Sequence, residues 1–257
     1  MAIALHSELL DGAGFRHAFF TRQGGTSPAP WESLNFSTGT GDTLERVREN
    51  LARAALVLAV PPERIYFLSQ VHGTAARAVT RGDDAALVRA EEGDIVLSRA
   101  LGLACAVRMA DCATVLLGDR ASGAAAAIHA GWRGVVRGAV RAGVEALRNL
   151  TGSAAGGLVA AIGPHVERCC FEVGSDVAAS LAAASTLGEA AVVPPAAEGA
   201  RPHVDLRAIV TAQLEACGVR AVDQVAGCTV CDAVRFHSYR RDGQVSGRML
   251  AAIVPAG

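Results

Sequence analysis

Two histidines and a cysteine stand out for what their side chains can do. His72 lies in SQVHGT, Cys112 in MADCATVLL and His129 in AAIHAGWRG. Two imidazoles and a thiolate make a borderline-soft donor set that suits Zn²⁺. Three protein donors leave the fourth tetrahedral position free for water or substrate, as catalytic zinc sites do. Their separations match no compact finger motif. Each residue also has a bland reading: a turn histidine, a small core cysteine and a histidine bonded to backbone. Without a metal, the same trio offers Cys112 as a nucleophile with His72 or His129 as its base.

Other residues could assist. Asp111 precedes Cys112 and is a candidate proton shuttle or orienter, or else a turn-capping aspartate. Arg22 in TRQGG, Arg133 in GWRG, and Arg240, Arg241 and Arg248 in SYRRDGQVSGR could hold anions, because the guanidinium fork matches phosphate and carboxylate. Each could equally be a solvated surface charge or half of an ion pair. Gly131 and Gly134 bracket Trp132-Arg133 just ahead of a helix, an arrangement that lets an anion approach a helix N-terminus. GTGD at 39–42 lacks the third glycine of a nucleotide fingerprint and reads as a capped turn. Cys228 and Cys231 form the chain's CxxC, with no second such pair to complete a four-sulfur site. They read as structurally buried, as do the vicinal Cys169-Cys170, alternating faces of one segment. Cys105 and Cys217 lie in apolar runs and read as buried.

These residues must be positioned by a frame, and the pattern predicts one. Strands are expected at 15–21, 65–71, 94–98, 103–109, 114–119, 123–129, 157–163, 219–226 and 247–254, from short apolar runs bounded by turn residues. Helices are expected from Asp42 or Thr43 to Pro61-Pro62, where Leu44, Val47, Leu51, Ala55 and Leu58 recur at helical spacing, and at 134–150, 174–186 and 203–217. The long stretch RQGGTSPAPWESLNFSTGTGD and the Ala/Pro-rich 191–202 read as loop. His72, Cys112 and His129 then all fall at strand ends, where ligand groups converge in many α/β folds. The mixture is α/β or α+β without an ordered βαβ alternation. No linker or repeat divides the chain, so 1–257 reads as one domain.

Composition narrows the chemistry. With 257 residues, 51% hydrophobic and 19% charged, the chain can bury a sizeable core. The net charge of −1 gives no global attraction to nucleic acid or an anionic membrane. All 24 basic residues are arginine. That excludes a Walker-type phosphate loop, Schiff-base chemistry and a lysine-anchored pyridoxal cofactor. No secretory signal is visible, and the most apolar stretch is broken by Arg108 and Asp111, so no membrane span is expected. Seven cysteines without a disulfide-scaffold spacing fit a reduced, cytoplasmic setting.

The motifs FFTRQGGTS, SLNFSTGTGDTLERVRENLARAA, LSQVHGT, GDIVLS, RMADCATVLL, AAIHAGWRG, IGPHVERCCFEVG and CTVCDAVRFHSYRRDGQVSGRM follow one another in the order of the YfiH/laccase-domain family. The chain resembles that family from about residue 15 to its end, and the combination of VHG, ADC and HAGWRG is highly specific. The resemblance implies a β-sandwich of mixed sheets flanked by helices. It implies one zinc per chain held by His72, Cys112 and His129, with copper the lesser alternative. It implies phosphorolysis of adenosine, inosine and S-methyl-5′-thioadenosine, and adenosine deamination, so the partners are a purine nucleoside and phosphate. Arg22, Asn35 and Arg133 match positions placed around the substrate. Cys112, Asp111 and Arg133 are the residues expected to carry catalysis. Members were once described as polyphenol oxidases, and bacterial members are linked to peptidoglycan editing. A copper phenol oxidase and a cysteine-type hydrolase therefore stand as alternatives. The chain departs from the pattern at Phe171, where CCYEVG is common, and at His237, where a second aromatic is usual before SYRR. His237 could reach a pocket or pack as a ring.

Overall fold

The long apolar runs become strands that are buried on both faces, which explains why they read as continuous hydrophobic stretches rather than as alternating ones. In Ala125–Ala130, Ala125 and Ala127 enter one core while Ala126, Ile128 and Ala130 enter another. Met249–Ile253 divides the same way: Met249, Ala251 and Ile253 face inward, Leu250 and Ala252 outward. The side-chain period of two requires this division. The computed structural model describes every residue except 196 and 198.

Two mixed sheets result. The first orders Ala4–Leu5, His17–Phe20, Met249–Ile253, Ala104–Met109 and Ile65–Tyr66, antiparallel except for the last pairing. The second orders Ala221–Gln224, Leu158–Ile162, Ala113–Asp119, Ala125–Ala130, Ile95–Ser98 and Ala76–Ala78, with parallel pairings at its two edges. Phe19, Val107, Met109, Leu116, Val159 and Ala251 belong to the core that the sheets share. Leu44–Leu58 covers the outer face of the first sheet with Val47, Leu51, Ala54 and Leu58. Ala139–Thr151 and Leu206–Ala216 cover that of the second. Val140, Val144 and Leu147 lie one helical turn apart on Ala139–Thr151. Each contributes roughly 1.5–3 kcal/mol by full burial. The fold is thus a mixed α/β sandwich between helices, built from strands at both ends of the chain.

Several expected elements change. The strand at 65–71 stops at Tyr66, and residues 67–71 run irregularly towards His72. The single helix at 134–150 is two, Trp132–Arg137 and Ala139–Thr151, broken at Gly138. Gly138 has φ +88°, a left-handed turn that favours glycine. The helix ending before Pro61-Pro62 stops earlier, at Leu58, with Ala59 left-handed beyond it. In the expected loop 191–202, Val192–Val193 pairs with His203–Val204, while residues 196 and 198 lie outside the described residues. Five short elements among the described residues had no clear pattern: Ala4–Leu5, Glu8–Gly12, Ala76–Ala78, Ala85–Val88 and Tyr239–Asp242. Among the described residues, no helix is long and apolar enough to cross a membrane.

Candidate active site

Cys112 lies in the tight connection between Ala104–Met109 and Ala113–Asp119, the two strands that cross from one sheet to the other. His129 is the penultimate residue of the strand Ala125–Ala130, beside Thr114 in the neighbouring strand. His72 arrives from the irregular segment after Tyr66, in a left-handed conformation with φ +59°. Their donor atoms lie within 4.8 Å of one another. His72 Nε2 is 3.8 Å from Cys112 Sγ, and the two imidazole rings stand edge to face with centroids 4.9 Å apart.

A buried carboxylate organises the trio. Asp94 is fully enclosed. Its side chain accepts backbone N–H bonds from Val71 at 3.3 Å, His72 at 3.0 Å and Gly73 at 2.6 Å, holding the turn that presents His72. It also meets His129 Nδ1 at 2.8 Å, which directs Nε2 towards the cluster. A carboxylate on the far nitrogen of a metal-binding imidazole fixes the tautomer and raises its basicity. Burial opposes the charge on Asp94, but the bond to His129 and the backbone donors outweigh it and hold the carboxyl below its usual range. Sequence reasoning missed Asp94. The signal was there in GDIVLS, where an acid opens an otherwise apolar strand and so must find partners once buried.

Electrostatics couple sulfur to imidazole. Burial alone would raise the Cys112 thiol, yet the positive charge on His129 and hydrogen bonds from both imidazoles pull it down to about 6. Burial likewise works against the His129 cation, but the Cys112 thiolate and Asp94 push its pKa up to about 9. Gly131 leaves room for the trio, because a Cβ there would sit 2.8 Å from both Cys112 Sγ and His72 Cδ2.

The trio opens into a cleft of about 770 Å³. Four arginines line it: Arg108, Arg133, Arg240 and Arg248. Among the described residues, Arg108 has no carboxylate partner; its guanidinium donates to the Leu68 carbonyl. Burial, reinforced by Arg248 and Arg89, brings it down to about 10. Arg133 is exposed and lies over Trp132, while Arg240 lies over Phe171 and Arg248 over Tyr239. Among the described residues, Asp111 is the one acid in the lining. Its two oxygens already accept from Thr229 Oγ1 and the Arg240 backbone N–H, each at 2.6 Å. Positive charge and aromatic faces therefore dominate the walls.

The structure brings His72, Cys112, His129, Asp111 and Arg133 together and leaves two expected substrate residues outside the lining. Arg22 donates to the carbonyls of Glu32, Ala233 and Pro30, so its fork is spent on bracing loops. Asn35 is fully buried, binding Asp42 and Ser37. Its Oδ1 also accepts the Arg248 N–H at 2.9 Å, so it reaches the cleft only through Arg248. His237 packs as a ring and does not line the cleft. It is enclosed, and burial reinforced by Arg22 lowers it to about 3. Tyr239 and Gln70 are lining residues that sequence reasoning overlooked.

The cysteines also differ from expectation. Cys105 is buried, but Cys217 is only half-buried. Cys169 and Cys231 are exposed, and Cys170 and Cys228 half-buried. Both pairs sit in loops beyond strand ends, where Cys170 alone of the four packs against the edge of a core among the described residues.

The family model described as multi-copper polyphenol oxidoreductase laccase matches residues 16–256. The chain belongs to this laccase-like family. Among its laccase-like relatives, a purine nucleoside phosphorylase of Streptomyces coelicolor is 39% identical over 253 residues, covering 94% of this chain and 95% of that protein. A purine nucleoside phosphorylase of Deinococcus radiodurans is 37% identical, covering 92% and 88%. The crystal structure of YlmD from Geobacillus stearothermophilus superposes with a TM-score of 0.86 at 32% identity, covering 95% and 93%. That of YfiH from Bacillus licheniformis gives 0.87 at 25% identity, covering 95% and 97%. These matches bear out the resemblance read from the motifs.

Proposed function

We propose that this laccase-like chain is a zinc-dependent purine nucleoside phosphorylase, with 1–257 acting as one unit. The observation that carries the proposal is a cleft in which four arginines and three aromatic faces surround the two-histidine, one-cysteine donor set. The donor set fits zinc: three soft-to-borderline donors converge, and the carboxylate behind His129 completes the usual support. Of seven histidines, His72 and His129 are the two in the cleft lining, which is too few for a multi-copper oxidase centre. When bound, zinc supplies a Lewis acid to polarise substrate groups. The relatives' names give the reaction class, and the walls supply its needs.

In this scheme Arg108, Arg240 and Arg248 hold phosphate by charge-assisted bonds, worth roughly 1.5–3 kcal/mol each. Phe171, Trp132 and Tyr239 offer faces for the purine and ribose. Arg133, exposed at the rim, attracts the anion. Asp111, with both oxygens committed, orients Thr229 and the Arg240 backbone rather than carrying a proton. Adenosine, inosine and S-methyl-5′-thioadenosine are the proposed substrates, with adenosine deamination as a second reaction of the same pocket. Seven cysteines with no disulfide among them suit a cytoplasmic location.

Incubation with adenosine and phosphate, with products separated by chromatography, tests this. Adenine plus ribose 1-phosphate is expected, inosine marks the deaminase reaction, and His129→Ala should abolish both. Unchanged turnover in that variant would discard the site.

One observation favours a second reading. A thiol held at about 6 beside an imidazolium is an activated nucleophile. A metal-free chain would then act as a cysteine hydrolase, and alkylation of Cys112 without chelator would mark it.

A further inference from the structure

Outside the cleft, four sulfurs gather at one place on the surface. The adjacent parallel strands Leu158–Ile162 and Ala221–Gln224 leave the sheet side by side. Their extensions stay together beyond it, through a bridge between His165 and Cys228. His165 donates to the Gly227 carbonyl, and Thr229 donates back to the His165 carbonyl at 3.0 Å. One extension carries Cys169-Cys170 and the other Cys228-Thr-Val-Cys231, so the topology supplies the second cysteine pair that the CxxC lacks in the linear sequence.

We propose that Cys169, Cys170, Cys228 and Cys231 form a second metal centre, a closed tetrathiolate site for zinc, distinct from the His72–Cys112–His129 cluster. All four Sγ atoms lie within 4.8 Å of one another. Cys231 Sγ is 3.3 Å from Cys170 Sγ and 3.6 Å from Cys169 Sγ. A tetrahedral ion with Zn–S bonds of about 2.3 Å requires sulfurs about 3.8 Å apart, so small adjustments seat it. The spacing suits one ion rather than a multi-iron cluster. Backbone N–H groups of Val230 and Cys231 reach the Cys228 sulfur, with that of Glu167 from the other loop. Donors two and three residues beyond the first cysteine of a CxxC turn its backbone into a cradle for a thiolate. Binding exchanges four thiol protons for one ion, with no change of oxidation state.

The centre has a structural consequence for the cleft. Phe171, next to Cys170, is a wall residue lying under Arg240. Thr229, next to Cys228, holds Asp111. Arg241 donates to the carbonyls of Thr229 and Val230, tying Tyr239–Asp242 to the same turn. An ion across the two loops would pin this whole wall.

The experiment is metal analysis and cobalt substitution of the full chain, purified with reductant. Wild type should carry two zinc ions per chain, and both His72→Ala/His129→Ala and Cys228→Ser/Cys231→Ser should each lose one. Should the cysteine variant fail to fold, the histidine variant decides alone. Loaded with cobalt, it should keep an intense thiolate-to-metal charge-transfer band, and chelation should lower its Tm. A histidine variant that holds no metal and shows no such band overturns the proposal, as does a wild-type mass showing a disulfide among these cysteines. Because the histidine variant also reports turnover, failure of the nucleoside activity and failure of this centre are separate results.

Discussion

The two sulfur-bearing clusters of this molecule are built from similar atoms in opposite arrangements. At the cleft, three donors come from three separate parts of the sandwich and face a cavity of about 770 Å³. At the surface, four thiols come from two loops that the sheet holds in register, and they surround one another rather than a cavity. With an ion bound, the first would leave a coordination place open beside arginines, and the second would close its shell with protein. Open and closed shells are the distinction between catalytic and structural zinc. The supporting groups differ accordingly: a buried carboxylate behind an imidazole in one, backbone N–H groups on sulfur in the other.

The sharpest way to break this comparison is through Asp94. Asp94→Asn keeps the shape but removes the charge that orients His129 and gathers the His72 turn. Chelator competition should show metal held about 10- to 100-fold more weakly in the cleft, with the four-cysteine ion unaffected. Equal weakening at both places would mean that the two are not independent.

Next in size is the arginine wall. Arg248→Ala should raise KM for phosphate by about 10- to 150-fold, the equivalent of roughly 1.5–3 kcal/mol. Arg22→Ala, which removes a loop brace outside the lining, should leave that KM unchanged. Steady-state kinetics with varied phosphate would check both, and a larger effect at Arg22 would return it to the substrate site.

The smallest effect concerns protons. In chelated protein, peptide mapping should find Cys112 alkylation rising with pH through a midpoint at about 6, because depression of the thiol supplies thiolate there. Asp94→Asn should move that midpoint up by weakening the His129 cation. Stability should show little of this. The lowered Cys112 contributes more as pH rises from about 6 to 9, while the raised His129 contributes less over the same window, and the two cancel. A midpoint near 9, the ordinary thiol value, would remove the basis for a thiolate nucleophile.

Much of the frame was legible in the linear chain. Runs such as VLL and VAAI are apolar on both alternations, and their shortness between turn residues marked them as strands covered on two sides. Val47, Leu51 and Leu58 announced a helix by their spacing. The break at Gly138 was hidden because the apolar period continues across it.

The trio was legible as residue types at expected strand ends, and the order of motifs placed it in a family. What sequence alone determined is local: periodicity, turn chemistry and the donor types available. Only the tertiary structure decided which donors share a site. Parallel pairing of Leu158–Ile162 with Ala221–Gln224 turned two cysteine pairs, read as buried, into one partly exposed cluster. Burial of Asp94 behind His72 and His129 made an ordinary acid the support on which the cleft's two histidines rest. Both depend on contacts between residues far apart along the chain, and such contacts leave no period in a sequence.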